Sequence, residues 1–269
     1  MKSDRFGHDP RLPLHSWNVS VEEAIQIQEV LRERIILKNT FSKIHPVRNS
    51  SRCDSKPSEA SNPAEIILRL NPAAGQQCTI SNWVKTIGGG DVAYSEDGKH
   101  CFGAIAVLSF PEMEILDRAT TDGKISFPYI PGLLSFREGP ILIKTFQRLK
   151  LKPDVMIFDG QGIAHPRGMG LASHIGLWLD IRSIGCAKTP LLDEFISPGL
   201  SKGSVEWVRK EGKKVGVVLR TRENVKPLFV SPGHHIDLRT SIQLILGSCK
   251  GYRIPEPLRR AHQLSRSML

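Results

Sequence analysis

The run Thr86-Ile87-Gly88-Gly89-Gly90-Asp91-Val92-Ala93-Tyr94, with Phe102 to Ser109 and Glu114 to Thr120 behind it, decides the fold. All three segments alternate or run apolar, and Glu96-Asp97-Gly98 and Phe110-Pro111-Glu112 separate them with turn residues. Connections this short join antiparallel strands, because parallel neighbours need a crossover of a dozen or more residues. The crossover follows: Ile141, Leu142, Phe146 and Leu149 recur at helical spacing behind Pro140, whose missing N–H suits a first helical turn. A buried-strand run Val155-Met156-Ile157-Phe158, a helix over about 170–181 and a strand over 183–187 then make the sheet parallel. Val215 to Arg220 and Leu228 to Ser231 supply further strands, and Leu238, Ile242, Ile245 and Leu246 mark a closing helix. This order predicts an α/β chain built on a ribonuclease H-like mixed sheet, three antiparallel strands then parallel strands, with helices on both faces.

Upstream, Ser20 and Glu23 have capping-box spacing, and Ala24, Ile27, Val30, Leu31 and Ile35 fall near one face of a helix predicted to reach about Leu37. Ser42 to Pro63 is dense in Ser, Pro and charge, too poor in apolar surface to offset the entropy of ordering. The expected organisation is therefore an N-terminal segment and helix over 1–41, a flexible polar insert over 42–63, one catalytic domain over 64–260 and a tail over 261–269. The 37 Lys and Arg outnumber 27 Asp and Glu, and the formal charge of +10 favours a polyanionic partner. The five cysteines form no C-x-x-C pair, so neither a zinc knuckle nor a disulfide framework is suggested and a reducing compartment fits. Met1 to Leu14 lacks the apolar core of a leader, and no stretch approaches the roughly 18 to 20 apolar residues of a membrane span. A cytoplasmic monomer with no membrane partner is expected.

Asp91 lies inside the first strand and Asp159 ends the strand Val155 to Phe158. A carboxylate in a buried strand is costly unless a cation or donor meets it. Singly, each reads as a salt bridge or a turn cap. Together, with the first and fourth strands side by side, they come within reach of one cation, and paired oxygen ligands suit Mg2+ or Mn2+. Glu138, at the mouth of the crossover helix, would alone serve the helix dipole. Three carboxylates at one end of a sheet, in a basic chain, fit metal-assisted phosphodiester hydrolysis, which needs no covalent protein nucleophile. His234, between a strand and the last helix, is a candidate to complete the metal shell or shuttle a proton, against the commoner structural role of a loop histidine. Lys188 ends another strand and is a candidate to meet the scissile phosphate, although exposed lysines are usually only solvated.

The segment Pro128-Tyr129-Ile130-Pro131-Gly132-Leu133-Leu134-Ser135-Phe136-Arg137-Glu138-Gly139-Pro140 resembles the endonuclease V family. Asp159-Gly160-Gln161-Gly162, His165-Pro166-Arg167-Gly168, Gly170-Leu171-Ala172-Ser173-His174 and Ser231-Pro232-Gly233-His234 match it in order. The resemblance implies hydrolysis of the second phosphodiester bond 3′ to inosine in DNA repair, leaving 3′-hydroxyl and 5′-phosphate ends, with Mg2+ as the ion and Mn2+ as its substitute. It assigns Asp91, Glu138 and Asp159 as metal carboxylates, His234 as the nearby histidine and Lys188 as the active-site lysine. Within Pro128, Ile130 and Gly132, Tyr129 looks like a wedge whose aromatic face replaces lost stacking. Gly160 and Gly162 resemble the base pocket, where glycine lets the backbone approach a base edge, and His165 is a further lining candidate. The insert over 42–63 is longer than the family linker. An inosine-specific endoribonuclease, another ribonuclease H-like nuclease or resolvase, and a binding module without catalysis stand as alternatives. The acids cannot separate DNA from RNA, since that rests on contacts to the 2′-hydroxyl.

Overall fold

A computed structural model describes residues 14–40 and 80–269, so the insert expected over 42–63 lies outside the described residues. The strands β1 (Thr86–Tyr94), β2 (His100–Ser109) and β3 (Ile115–Lys124) form the antiparallel meander read from the sequence. Helix α2 (Leu134–Gln147) crosses over to β4 (Val155–Phe158), which lies parallel to β1. Helix α3 (Leu171–Leu179) leads to β5 (Ser183–Ala187), parallel to β4. Strands β6 (Val205–Lys210), β7 (Lys213–Leu219) and β8 (Leu228–His234) complete one sheet of order β3-β2-β1-β4-β5-β8-β7-β6. One apolar layer, with Leu142, Phe146 and Ile175, packs beneath α2 and α3. The other, with Ile242, Ile245 and Leu258, lies beneath α4 (Leu238–Ser248) and α5 (Glu256–Arg266).

Several expectations require correction. The parallel part is limited to β1-β4-β5, because β8 returns antiparallel to β5 and a hairpin extends the sheet. That hairpin contains β6, which the sequence reading passed over: Arg209, Lys210, Lys213 and Lys214 mask the apolar Val205, Trp207 and Val208. Its two-residue turn, Glu211-Gly212, has positive φ at both positions, as a twisted two-residue hairpin requires. Helix α2 begins well before Pro140, at Leu134, because buried Leu133 and Phe136 pack with Ala24 and Phe127 and fix the first turn. Glu138 therefore sits in the second turn instead of at the helix mouth.

A further correction concerns the C-terminus. The tail expected from residue 261 is the second half of α5, entered through Pro255 and Pro257 and buried at Ala261 and Ser265. Proline suits a helix start, where its missing N–H costs nothing, so Pro255-Glu256-Pro257 opens this helix. At the other end of the chain, α1 (Val21–Leu31) carries the Ser20–Glu23 capping box but passes into a short 3₁₀ turn (Arg32–Arg34) before Leu37. Its core-facing residues are Ala24, Gln28 and Leu31, whereas Val30 is exposed. Among the described residues no helix is long and apolar enough to cross a membrane.

Candidate active site

Gly90 of β1 pairs with Phe158 of β4, so the next residues, Asp91 within β1 and Asp159 just past β4, fall abreast where the parallel ladder ends. That end of a parallel pair is where α/β sheets open a crevice for ligands. Gly89 and Gly90 make the placement possible. A side chain on Gly89 would collide with the backbone of Pro257, and one on Gly90 would press on the Phe158 ring at 3.0 Å. Close approach thus brings α5 under one face of β1 and α2 over the other, with Asp91 between them.

Each carboxylate has its own neighbours. Asp91 is buried; its Oδ2 accepts from Ser265 Oγ at 2.6 Å and lies 3.2 Å from His262 Nδ1. Asp159 is ion-paired with Lys188, which leaves β5 beside it. Burial holds the Asp159 carboxyl above its ordinary range against the pull of Lys188, and the charge of Asp91 adds to the rise. Glu138 Oε1 accepts from the Tyr94 hydroxyl at 2.7 Å. Burial pushes its pKa up to about 8; the Tyr94 hydrogen bond opposes that rise, while Asp91 and Asp159 add to it. The charges of Asp91 and Asp159 thus both act on Glu138, and that of Asp91 on Asp159.

Their oxygens do not all close to within 4.8 Å of one another; among the described residues the set that does is Asp180, His234 and His235. Each acid is engaged by its own partner: Asp91 by Ser265, Glu138 by Tyr94 and Asp159 by Lys188. The donor set still fits a hard divalent cation: the ligands are carboxylate oxygens, with Lys188 beside Asp159 and Arg137 beside Glu138 as the neighbouring cations.

His234 is not part of this arrangement. Its Nδ1 accepts from the Ile36 N–H at 3.2 Å, so the proton sits on Nε2, which faces Asp180 Oδ1 at 3.5 Å. A protonated nitrogen cannot ligate a metal, and burial together with His235 lowers the pKa of His234 to about 4. Instead His234 helps fasten the segment after α1 to the β8–α4 corner, where the His235 N–H donates to Ile36 O and Asn39 binds Asp237. The histidine beside the acids is His262 of α5. It was missed because residues beyond 260 were read as a tail; the His262-x-x-Ser265 spacing, which shares a helix face, was the available signal.

Next to Asp159 and Lys188 opens a cavity of about 380 Å³, lined also by Tyr129, Ile130, Gly132, Gly160 and His165. Tyr129 stands at its rim with 69% of its surface exposed. Pro128 is absent from the lining, as is Gly162. Gly162 is small for packing: a side chain there would strike the Pro232 carbonyl, and its N–H donates to Ser231 Oγ at 2.9 Å. His165 Nδ1 accepts from the Arg167 N–H at 3.1 Å, which leaves Nε2 to donate to Gly132 O at 2.9 Å. Burial, followed by the charge of Arg167, lowers its pKa to about 4 and keeps it neutral.

The endonuclease V family model matches residues 70–263. The endonuclease V of Dictyoglomus turgidum is 41% identical over 92% of this chain and 90% of its own length. That of Methanothrix thermoacetophila is 39% identical over 94% of this chain and 93% of its own. Among solved structures, endonuclease V from Streptomyces avermitilis superposes with a TM-score of 0.74 at 34% identity, covering 94% of both chains. Ciona intestinalis endonuclease V, solved with a 24mer DNA containing an inosine followed by a ribo-adenosine, gives 0.69 at 29% identity over 92% of this chain and 96% of that one. On sequence and on fold alike, the chain belongs to the endonuclease V family.

Proposed function

We propose that this chain is a divalent-metal-dependent endonuclease that cuts DNA at the second phosphodiester bond 3′ to deoxyinosine, leaving 3′-hydroxyl and 5′-phosphate ends. The observation that carries the reading is the shared wall between cavity and acids: Asp159 and its partner Lys188 line the cavity, and Asp159 is also the acid whose charge acts on Glu138. A base seated in the cavity leaves its own backbone running toward the carboxylates. Gly160 gives that base a wall without side-chain bulk, and Tyr129 takes its place in the stack. Asp91, Glu138 and Asp159 hold the ion, Mg2+ with Mn2+ as a substitute, which supplies an activated water and charge stabilisation when bound. Lys188 meets the scissile phosphate, and His262 is placed to give a proton to the departing oxygen. Ser265 orients Asp91, while Tyr94 orients Glu138. The protein works as a cytoplasmic monomer in DNA repair.

The test uses matched inosine- and adenosine-containing oligonucleotides, each as DNA and as RNA, with and without Mg2+. Cleavage confined to inosine DNA in the presence of the ion supports the reading. Equal cutting of the matched strands removes the inosine assignment, cleavage in chelator removes the metal, and preference for the RNA strand replaces DNA by RNA as substrate.

A further inference from the structure

Gln28 is buried on the core side of α1, where a leucine would fill the same space. Its carboxamide is nevertheless fully used: Nε2 donates to Gly132 O at 3.0 Å and to Met169 O at 2.9 Å, while Oε1 accepts from Arg167 Nε at 2.6 Å. Arg167 Nη2 donates to the same Gly132 carbonyl at 2.8 Å, and so does His165. One backbone oxygen thus receives three donors from two distant parts of the chain. Gly132 itself lies at φ +82°, in the left-handed region, and a side chain there would meet Arg167 Nη2 at 2.8 Å. The two carbonyls that Gln28 holds belong to two separate segments beside the cavity: Gly132 ends the Tyr129 loop, and Met169 immediately precedes Gly170 and α3. A buried amide is costly unless every polar atom is paired, and here the pairing ties α1 to two segments that His165 and Arg167 also join directly through the Gly132 carbonyl.

We infer that Gln28 is a positioning residue that, together with His165 and Arg167, fastens the Tyr129 loop to the segment ahead of α3, so that the N-terminal helix sets the wedge before substrate arrives. The inference rests on the functional reading above and adds α1 to the machinery that inspects the base. Its consequence is specific to duplex substrate. A wedge held in place lowers the cost of taking a stacked, paired base out of the helix, whereas a single strand carries little of that cost. Misplacing the loop therefore penalises inosine in a duplex more than inosine in a single strand.

The experiment compares kcat and KM of the full-length wild type, Gln28→Glu and Gln28→Leu on inosine DNA as duplex and as single strand, with Mg2+ present and thermal melting followed in parallel. Gln28→Glu keeps the shape and the Arg167 contact but loses both donors, which makes it the informative variant should Gln28→Leu fail to fold. The expected result is a fall of about 10- to 100-fold in kcat/KM on the duplex, with a several-fold smaller fall on the single strand. Equal proportional losses on both substrates, or none on either, overturn the positioning role while leaving the nuclease assignment intact. A wild type that cuts matched inosine and adenosine strands alike overturns the functional reading and the positioning role with it.

Discussion

Replacing Glu138 by Gln should make the metal-free protein more stable relative to wild type as the pH rises, while ending cleavage. The folded chain holds the Glu138 proton to about pH 8, because of burial first and the nearby Asp91 and Asp159 besides, against an ordinary value of 4.5. The unfolded chain releases that proton near the ordinary value. The folded state therefore binds more protons across the interval, and its stability falls as pH rises from about 4.5, levelling off above about 8. Each pH unit inside the window is worth about 1.4 kcal/mol, so wild type should lose about 3 kcal/mol against the Glu138→Gln variant between about pH 5.5 and about pH 7.5. Urea unfolding of both proteins in chelator, at several pH values, reads the difference directly. Saturating Mg2+ should then stabilise wild type and leave the variant nearly unmoved, because an ion binding only the folded state adds stability by mass action. A difference that stays flat with pH refutes the claim that Glu138 carries its proton in a buried, repulsive site.

His262→Ala should lower kcat by about 100-fold or more with little effect on melting, whereas His234→Ala should cost about 1–3 kcal/mol of stability and leave cleavage per folded molecule unchanged. Cleavage assays beside urea titrations separate the two. Gly89→Ala should destabilise by about 1–3 kcal/mol through overpacking against the Pro257 backbone, and should reduce cleavage further than the unfolded fraction explains, since α5 carries His262. Urea titration gives the folded fraction for normalising the rates. Tyr129→Ala should leave melting unchanged at this exposed position and lower kcat/KM on duplex inosine DNA by about 10-fold or more, the cost of losing one stacking face.

The parts legible in the sequence are those in which local pattern and tertiary packing agree. The β1–β3 meander and the buried run of β4 follow from alternation, turn residues and adjacent strands, and the register Gly90–Phe158 sets Asp91 and Asp159 abreast. What escaped was decided by contacts remote in sequence. The start of α2 depends on Phe136 meeting Ala24 and Phe127, a contact invisible to a window around Pro140. Charged residues conceal β6, since an edge strand carries lysine and arginine for protection against pairing with other chains. The histidine assignment failed for a related reason. His234 sits in a motif-like Ser231-Pro232-Gly233-His234 run, but its sheet position turns it toward Ile36 and Asp180. His262 has no motif around it and reaches the acids only because α5 folds back beneath β1.

The scaffold that gathers the three acids is built on both faces of one strand. Glu138 descends from α2 on one side, while Ser265 and His262 rise from α5 on the other, with Asp91 in the sheet between. Glycines at 89 and 90 let α5 and the Phe158 side chain come close enough for this. The strand that orders the fold and the strand that orders the chemistry are therefore the same element. A side chain added at either glycine perturbs packing and catalysis together, and neither flanking helix can be removed without leaving a buried carboxylate unaccompanied.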